Sequence, residues 1–243
     1  MLIGGLQKTT LIDFPGRVAC TVFTLGCNFR CPFCHNKNLV TLKNFQQAKL
    51  QLIKKKDLFD FLKKRRRILD GVCITGGEPT LHQDLPKFCQ QIKALALEVK
   101  LDTNGSQPKM LKKLIEQSLV DFVAMDIKTA FSDYTKAVAV NSQFSIPNLQ
   151  NSIKLILQSG LEYEFRTTVV PGIHDEKTLV KLARELAALS KSPNLQYILQ
   201  PFRPQNCLDS KFLKIEPFSN TQMKQFLKAI QKILLKAKLR GID

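Results

Sequence analysis

Six short runs rich in β-branched and aliphatic residues alternate with six longer stretches of helical periodicity, and this alternation limits the folds open to the chain more than any other feature. The predicted strands are 18–24, 71–75, 98–102, 122–126, 162–170 and 195–200. The predicted helices are 57–67, 85–97, 109–117, 148–158, 176–189 and 221–238. A strand followed by a helix and then another strand calls for parallel pairing with a crossover, which is right-handed. A closed barrel of this kind needs eight such units. Six predict an α/β fold with a curved, incomplete sheet, a partial (β/α)6 TIM-like barrel. With 44% hydrophobic residues the chain can bury a full core, and residues 1–243 read as one domain.

In parallel α/β folds, ligands collect at the carboxyl ends of the strands. Each predicted strand ends there in polar or glycine-rich residues. The second runs into Thr75-Gly76-Gly77-Glu78-Pro79 and the third into Asp102-Thr103-Asn104-Gly105. The fourth runs into Asp126-Ile127-Lys128. The fifth carries Arg166-Thr167-Thr168, and the sixth leads to Phe202-Arg203. The first leads into Cys27-Asn28-Phe29-Arg30-Cys31-Pro32-Phe33-Cys34-His35.

That last stretch has C-x3-C-x2-C spacing. Three thiolates on one compact loop can hold three irons of a cubane cluster, which ordinarily takes four cysteines, leaving one iron open to a ligand. Other chemistries use similar residues. Zinc in a Cys3His site would need His35 beside Cys34, and adjacent residues rarely both reach one tetrahedral ion. Cys31-Pro32-Phe33-Cys34-His35 also fits the haem-attachment pattern, which belongs outside the cytoplasm. Disulfides are disfavoured by an odd count, seven cysteines in 243 residues. The opening residues lack the basic and apolar regions of a secretory signal, and no apolar run is long enough to span a membrane, so a cytoplasmic protein is expected.

The cysteine spacing, with an aromatic residue before the third cysteine, resembles the signature of radical S-adenosylmethionine enzymes. The longer run Cys31-Pro32-Phe33-Cys34-His35-Asn36, with Asp13-Phe14-Pro15-Gly16 upstream, resembles the glycyl-radical-enzyme activases. Within these, the opening residues most resemble the anaerobic ribonucleoside-triphosphate reductase activating proteins. The resemblance runs from about residue 4 to residue 203. It implies a partial barrel and a 4Fe–4S cluster on Cys27, Cys31 and Cys34, with S-adenosylmethionine chelated at the open iron. It further implies a flavodoxin- or ferredoxin-type electron donor and hydrogen abstraction from a glycine of a partner glycyl-radical enzyme, here anaerobic ribonucleotide reductase. An enzyme acting on a small molecule, such as a deazaguanine synthase, and a zinc-binding interaction module are the alternatives.

The same resemblance assigns the strand ends. Gly76, Gly77 and Glu78 match the motif that holds the methionyl amino group. Paired glycines permit close backbone approach, and a following carboxylate can accept from an ammonium. Asp102, Thr103, Asp126 and Lys128 match residues around the adenosylmethionine and a monovalent cation. A buried Asp–Lys pair or a turn-capping Asp would account for them equally. Arg166 is expected to meet the ligand carboxylate, or else Glu164 or Asp126. Phe202-Arg203 stands where pyruvate formate-lyase activases carry Tyr-His, so that histidine's contact does not carry over.

The net charge is +17. Much of it lies in 54–67 and in the last helix, where Lys224, Lys228, Lys232 and Lys236 recur every four residues opposite an apolar face. With no Trp and no aromatics among the basic runs, nucleic acid is not expected. The long connection 36–56, ending in Lys54, Lys55 and Lys56, suits an acidic protein surface. Cys20, Cys73 and Cys89 are read as core, Cys207 as a loop residue, and His82 and His174 receive no role.

Overall fold

The structure is a computed structural model and describes residues 1–140 and 144–242; residues 141–143 and 243 of the single-domain reading lie outside these. In chain order its strands and helices are β1 (Ile3–Thr10), β2 (Ala19–Thr24), β3 (Phe29–Arg30), α1 (Lys37–Val40), α2 (Leu42–Gln47), α3 (Lys55–Arg65), β4 (Gly71–Gly76), α4 (Leu85–Lys93) and β5 (Glu98–Thr103). There follow α5 (Pro108–Glu116), β6 (Phe122–Asp126), α6 (Tyr134–Ala137), β7 (Ala139–Val140), α7 (Ile146–Gln158), β8 (Glu162–Val169), α8 (Glu176–Ser190), β9 (Tyr197–Pro201), α9 (Asn220–Gln231) and β10 (Lys238–Leu239). Local chemistry sets several helix starts. Ser145 and Asp175 accept from the third backbone N–H of α7 and α8, and Ser219 with Gln222 forms a capping box on α9.

The main sheet has the order β1-β2-β4-β5-β6-β8-β9-β10. All neighbouring pairs are parallel except β1 with β2. The six predicted strands are therefore its six central members, and the open α/β partial barrel is observed. Both edge strands are additions to the prediction. β1 is glycine-containing, polar on one side and interrupted by two register shifts, so it carries little strand signal. β10 takes the place of the end of a predicted helix. The lysine period continues to Lys236, but the chain leaves the helix after Gln231 and buries Leu234 and Ala237. Side-chain burial overrides a local period here.

The connection 36–56 also differs from expectation. It folds into α1 and α2, whose Leu39 and Phe45 form a small core with Leu25, close against Gly4. Lys55 pairs with Asp84 at 2.5 Å and Lys56 with Asp60 at 2.6 Å. Of the three lysines expected on an acidic-partner surface, two thus already have intramolecular partners.

Strand alternation gives the sheet an apolar convex face under the helices and a polar concave face. The segment between β1 and β2 closes the amino-terminal end of the barrel. Phe14 is fully buried, edge-on to Phe122 at 5.9 Å, and packs with Ala19 and Ala124. Arg17 reaches across to Glu98 at 2.9 Å and Glu162 at 3.0 Å. The Asp13-Phe14-Pro15-Gly16 stretch is thus a plug under the barrel, leaving the carboxyl ends of the strands open. Among the described residues no helix is long and apolar enough to cross a membrane.

Candidate active site

The strand ends build the site in layers. The first layer is backbone. Gly76 closes β4 at φ +108°, a conformation that side chains rarely adopt, and a Cβ at Gly77 would lie 2.0 Å from the Gly26 carbonyl oxygen. This contact lets the Gly77 N–H donate to Thr24 O at 2.8 Å and the Glu78 N–H to Gly26 O at 2.7 Å. The paired glycines therefore bring the end of β4 against the start of the cysteine loop. The close approach they permit is to the protein's own backbone.

Glu78 forms the second layer. Its side chain is 1% exposed. Oε1 accepts from the Thr80 N–H at 3.1 Å, the Thr80 hydroxyl and the Thr103 hydroxyl at 2.8 Å. Oε2 accepts from the Asn104 N–H at 2.7 Å. Burial raises the Glu78 carboxyl above its ordinary range, while these donors oppose the rise. One lone-pair position on Oε2 is left over from these bonds. Asn104 in turn ties down the cysteine loop: its Nδ2 donates to Asn28 Oδ1 at 2.9 Å, and Asn28 Nδ2 donates to Ser106 Oγ at 2.8 Å. Sequence reasoning missed Asn28 and Ser106. The only trace they leave is polar residues beside a strand end and a cysteine.

The three cysteines are free and line one cavity with Gly76, Gly77, Glu78, Asp102, Thr103, Asp126 and Lys128. Phe29, Phe33 and Val40 supply its apolar wall. Ten of the eleven predicted site residues thus meet in one place; the eleventh, Arg166, lines the adjoining groove. Burial pushes the Cys27 thiol up to about 11 and the Cys31 thiol up to about 12, and raises that of Cys34. The Lys128 charge works against burial at all three thiols. Burial would neutralise Lys128, but Asp126, whose Oδ2 lies 3.0 Å from its Nζ, raises it above its ordinary value. Lys128 is thereby kept as a cation beside three sulfurs.

These features fit an iron–sulfur cluster. Metal binding deprotonates a coordinating thiol outright, and a neighbouring cation stabilises the resulting charge. Among the described residues no three His, Cys, Asp or Glu side chains are grouped as ligands of one metal ion. Cysteines of a cluster each bind a different iron, so they need not converge on a point, whereas zinc ligands must. His35 is turned elsewhere: its Nε2 bonds the Arg203 carbonyl at 2.8 Å and its ring stacks on Phe202.

Beneath the cavity lies a chain of buried and half-buried charges on the concave face. Arg166 Nε meets Asp126 at 2.9 Å, Arg166 Nη2 meets Asp102 at 3.2 Å, and Arg166 Nη1 lies 3.7 Å from Glu164. Lys100 pairs with Asp102, and Arg240 grips Glu164 with both terminal nitrogens at 2.8 and 2.5 Å. Burial opposes ionisation of Asp102 and Asp126, yet Arg166, with Lys100 at the first and Lys128 at the second, holds both carboxyls below the ordinary range. Of the partners expected for Arg166, the structure supplies the protein carboxylates. The carboxylates expected to hold a monovalent cation are likewise already met by Lys100, Arg166 and Lys128, and Thr103 spends its hydroxyl proton on Glu78.

His174 has a definite part. It is 3% exposed. Its Nδ1 accepts from the Val170 N–H at 2.9 Å, so Nε2 carries the proton and donates to the Lys128 carbonyl at 2.8 Å. Burial pushes His174 down to about 4. It fastens the turn after β8 to the turn after β6 and so holds the Lys128 backbone, which Tyr134 also engages at 3.1 Å. Cys20, Cys73 and Cys89 are core residues as expected; Cys207, read as a loop residue, is buried too.

The comparisons with known proteins agree with this geometry. A protein of Methanocaldococcus jannaschii, provisionally named a glycyl-radical enzyme activating enzyme, is 30% identical over 100% of this chain and 97% of its own length. The pyruvate formate-lyase-activating enzyme of Streptococcus mutans is 28% identical over 77% of this chain and 73% of its own. A GTP 3′,8-cyclase of Helicobacter pylori is 29% identical over 71% of this chain and 51% of its own. Among solved structures, Streptococcus suis SuiB bound to its precursor peptide SuiA superposes with a TM-score of 0.63 at 14% identity. That match covers 91% of this chain and 48% of SuiB, a likeness of fold. The Radical SAM superfamily model matches residues 21–183, from the strand before the cysteines to α8, and the chain belongs to that superfamily.

Proposed function

We propose that this radical S-adenosylmethionine enzyme generates a glycyl radical on a partner protein, anaerobic ribonucleoside-triphosphate reductase. When bound, the 4Fe–4S cluster and S-adenosylmethionine supply reductive cleavage to methionine and a 5′-deoxyadenosyl radical. The chain's own residues do the rest. Cys27, Cys31 and Cys34 hold the cluster, and Lys128 offsets the charge of their thiolates. Glu78, through Thr103 and Asn104, fixes the cysteine loop against β5 and offers its remaining Oε2 position towards an ammonium. Asp102 and Asp126 face the ligand cavity while Arg166 orders them from below. Phe29, Phe33 and Val40 keep water from the reacting atoms.

The observation that carries the reading is the lateral groove. It lies between the segment after β1 and the end of β9, at the open seam of the barrel, and shares His35 and Thr168 with the cysteine cavity. A glycine-bearing segment of another protein can approach the site through it. The full-length likeness to an activating enzyme supports the same reading. The likeness to a GTP cyclase is the observation that favours a small-molecule substrate instead. Residues 1–243 act as one cytoplasmic domain in this account, reduced by a flavodoxin- or ferredoxin-type donor.

The test is anaerobic. Reconstituted enzyme, dithionite and S-adenosylmethionine are mixed with the reductase, and a glycyl-radical doublet is sought by electron paramagnetic resonance. Appearance of the doublet supports the reading. Its absence, together with product formation from GTP or another nucleotide, supports the small-molecule reading.

A further inference from the structure

Asn104, the residue after β5, is 7% exposed, and both polar atoms of its side-chain amide are committed. Oδ1 accepts from the Ser106 N–H at 2.9 Å, which fixes which way round the amide sits. Nδ2 therefore faces the cysteine loop with two protons to give. One goes to Asn28 Oδ1 at 2.9 Å. The other is directed at Cys27 Sγ, 3.9 Å from the nitrogen, a long contact to a large acceptor. The backbone that presents this amide is held from both sides. The Asn104 N–H donates to Glu78 Oε2 at 2.7 Å, and the carbonyl of the next residue, Gly105, accepts from Ser152 Oγ on α7 at 2.7 Å.

Cys27 Sγ accepts a second bond, from the Phe29 N–H at 3.4 Å, but that donor belongs to the cysteine loop itself. Among the described residues, Asn104 is the side chain whose hydrogen bonding reaches one of the three sulfurs. Reduction of a cluster held there adds one negative charge within a cavity walled by Phe29, Phe33 and Val40. An apolar wall opposes that added charge, whereas an N–H directed at a ligand sulfur favours it. Lys128 acts on all three sulfurs at once, and Asn104 acts on one.

We propose that Asn104 is a positioning residue that acts through Cys27: the amide proton it holds on the sulfur raises the reduction potential of the cluster and so eases delivery of the electron. The bond strengthens as charge on the sulfur grows, so it stabilises the reduced cluster more than the oxidised one. The inference rests on the cluster assignment and is independent of the substrate. Visible absorbance reports cluster loading separately from the potential.

The test is an anaerobic redox titration of the reconstituted enzyme, with the reduced cluster followed by electron paramagnetic resonance. Asn104→Ser keeps an acceptor for the Ser106 N–H but has no amide to offer the sulfur. At the wild-type midpoint its ratio of reduced to oxidised cluster is expected to fall about three- to tenfold, a midpoint lower by roughly 30–60 mV. Ser106→Ala is the control. It removes the acceptor of Asn28 Nδ2 and loosens the same loop, yet leaves both Asn104 donors in place, so its ratio is expected to stay within about twofold of wild type. A wild-type midpoint in Asn104→Ser, or an equal fall in both variants, overturns the proposal. A second measurement needs no variant, and it decides alone if Asn104→Ser does not load a cluster. With asparagine side-chain amides labelled with nitrogen-15, pulsed electron paramagnetic resonance of the reduced wild type is expected to show coupling to the label. The amides of Asn28 and Asn36 are directed instead at Ser106 Oγ and the Gly76 carbonyl. Absence of the coupling overturns the proposal.

Discussion

Replacing Arg166 by Met tests how the floor of the site is held. The network comprises four cations, Lys100, Lys128, Arg166 and Arg240, and three carboxylates, Asp102, Asp126 and Glu164; Lys100 and Glu164 are buried, and the others are partly exposed. Removing one member of a buried pair ordinarily costs about 3–5 kcal/mol, because the other charge is stranded. Here no carboxylate is stranded: Asp102 keeps Lys100, Asp126 keeps Lys128 and Glu164 keeps Arg240. Met also refills much of the volume. The cost should therefore fall at the low end, about 3 kcal/mol. For a chain of this length that is roughly 6–12 °C in the thermal midpoint. The pH dependence supplies a second reading. Asp102 and Asp126 have carboxyls lowered in the fold by Arg166, so their contribution is present above the unfolded carboxylate value of about 4 and is lost as pH falls through the lowered folded values. The gap between wild type and variant should be full at neutral pH and narrow below about pH 4. Thermal melts of the reduced protein without cluster, run across that range, measure both. A variant as stable as wild type at neutral pH, or a gap that ignores pH, would refute the network's role.

Other perturbations separate the layers of the site. Ala at Cys27, Cys31 or Cys34 should abolish the visible absorbance of the reconstituted protein, while Ala at Cys20 or Cys207 should retain it; loss in the Cys207 variant equal to that at Cys31 contradicts the three-ligand assignment. Gly77→Ala sets a Cβ 2.0 Å from the Gly26 carbonyl oxygen and should cost about 1–3 kcal/mol with poor cluster loading, whereas Gly160→Ala, which meets nothing within 4 Å but is strained by its φ of +73° at a position away from the cavity, should lose stability yet load normally. Equal loading of the two denies that the β4 end shapes the cysteine loop. His174 is held down to about 4 against an ordinary 6.5, so the unfolded chain binds its proton first as pH falls. Stability of the cluster-free protein should be full above about pH 6.5 and decline, by on the order of 3 kcal/mol, towards pH 4. His174→Gln should lack that part of the decline, and chemical denaturation at several pH values decides it.

The central six strands were legible because each is a compact β-rich run before a helical period, and their polar ends marked the rim. The cysteine spacing located the cavity, and Gly76, Gly77 and Glu78 fell beside it. What escaped was set by tertiary context. β1 has weak strand character and exists because β2 offers it an edge. α9 stops where Leu234 and Ala237 turn inward, against its own lysine period. Arg166 was assignable to a ligand or to a carboxylate, and only the convergence of β5, β6 and β8 brought Asp102, Asp126 and Glu164 to it. His174 carried no motif, since its role is to join two turns that are 46 residues apart in the chain.

Isotope transfer from the partner tests the central claim most directly. Anaerobic ribonucleotide reductase is prepared with its glycines deuterated at the α carbon and activated by the reduced enzyme with unlabelled S-adenosylmethionine. Mass spectrometry of the 5′-deoxyadenosine should then show deuterium incorporated in step with the growth of the glycyl-radical signal. Unlabelled 5′-deoxyadenosine, formed at the same rate with and without the reductase, would contradict the assignment of a protein glycine as the substrate.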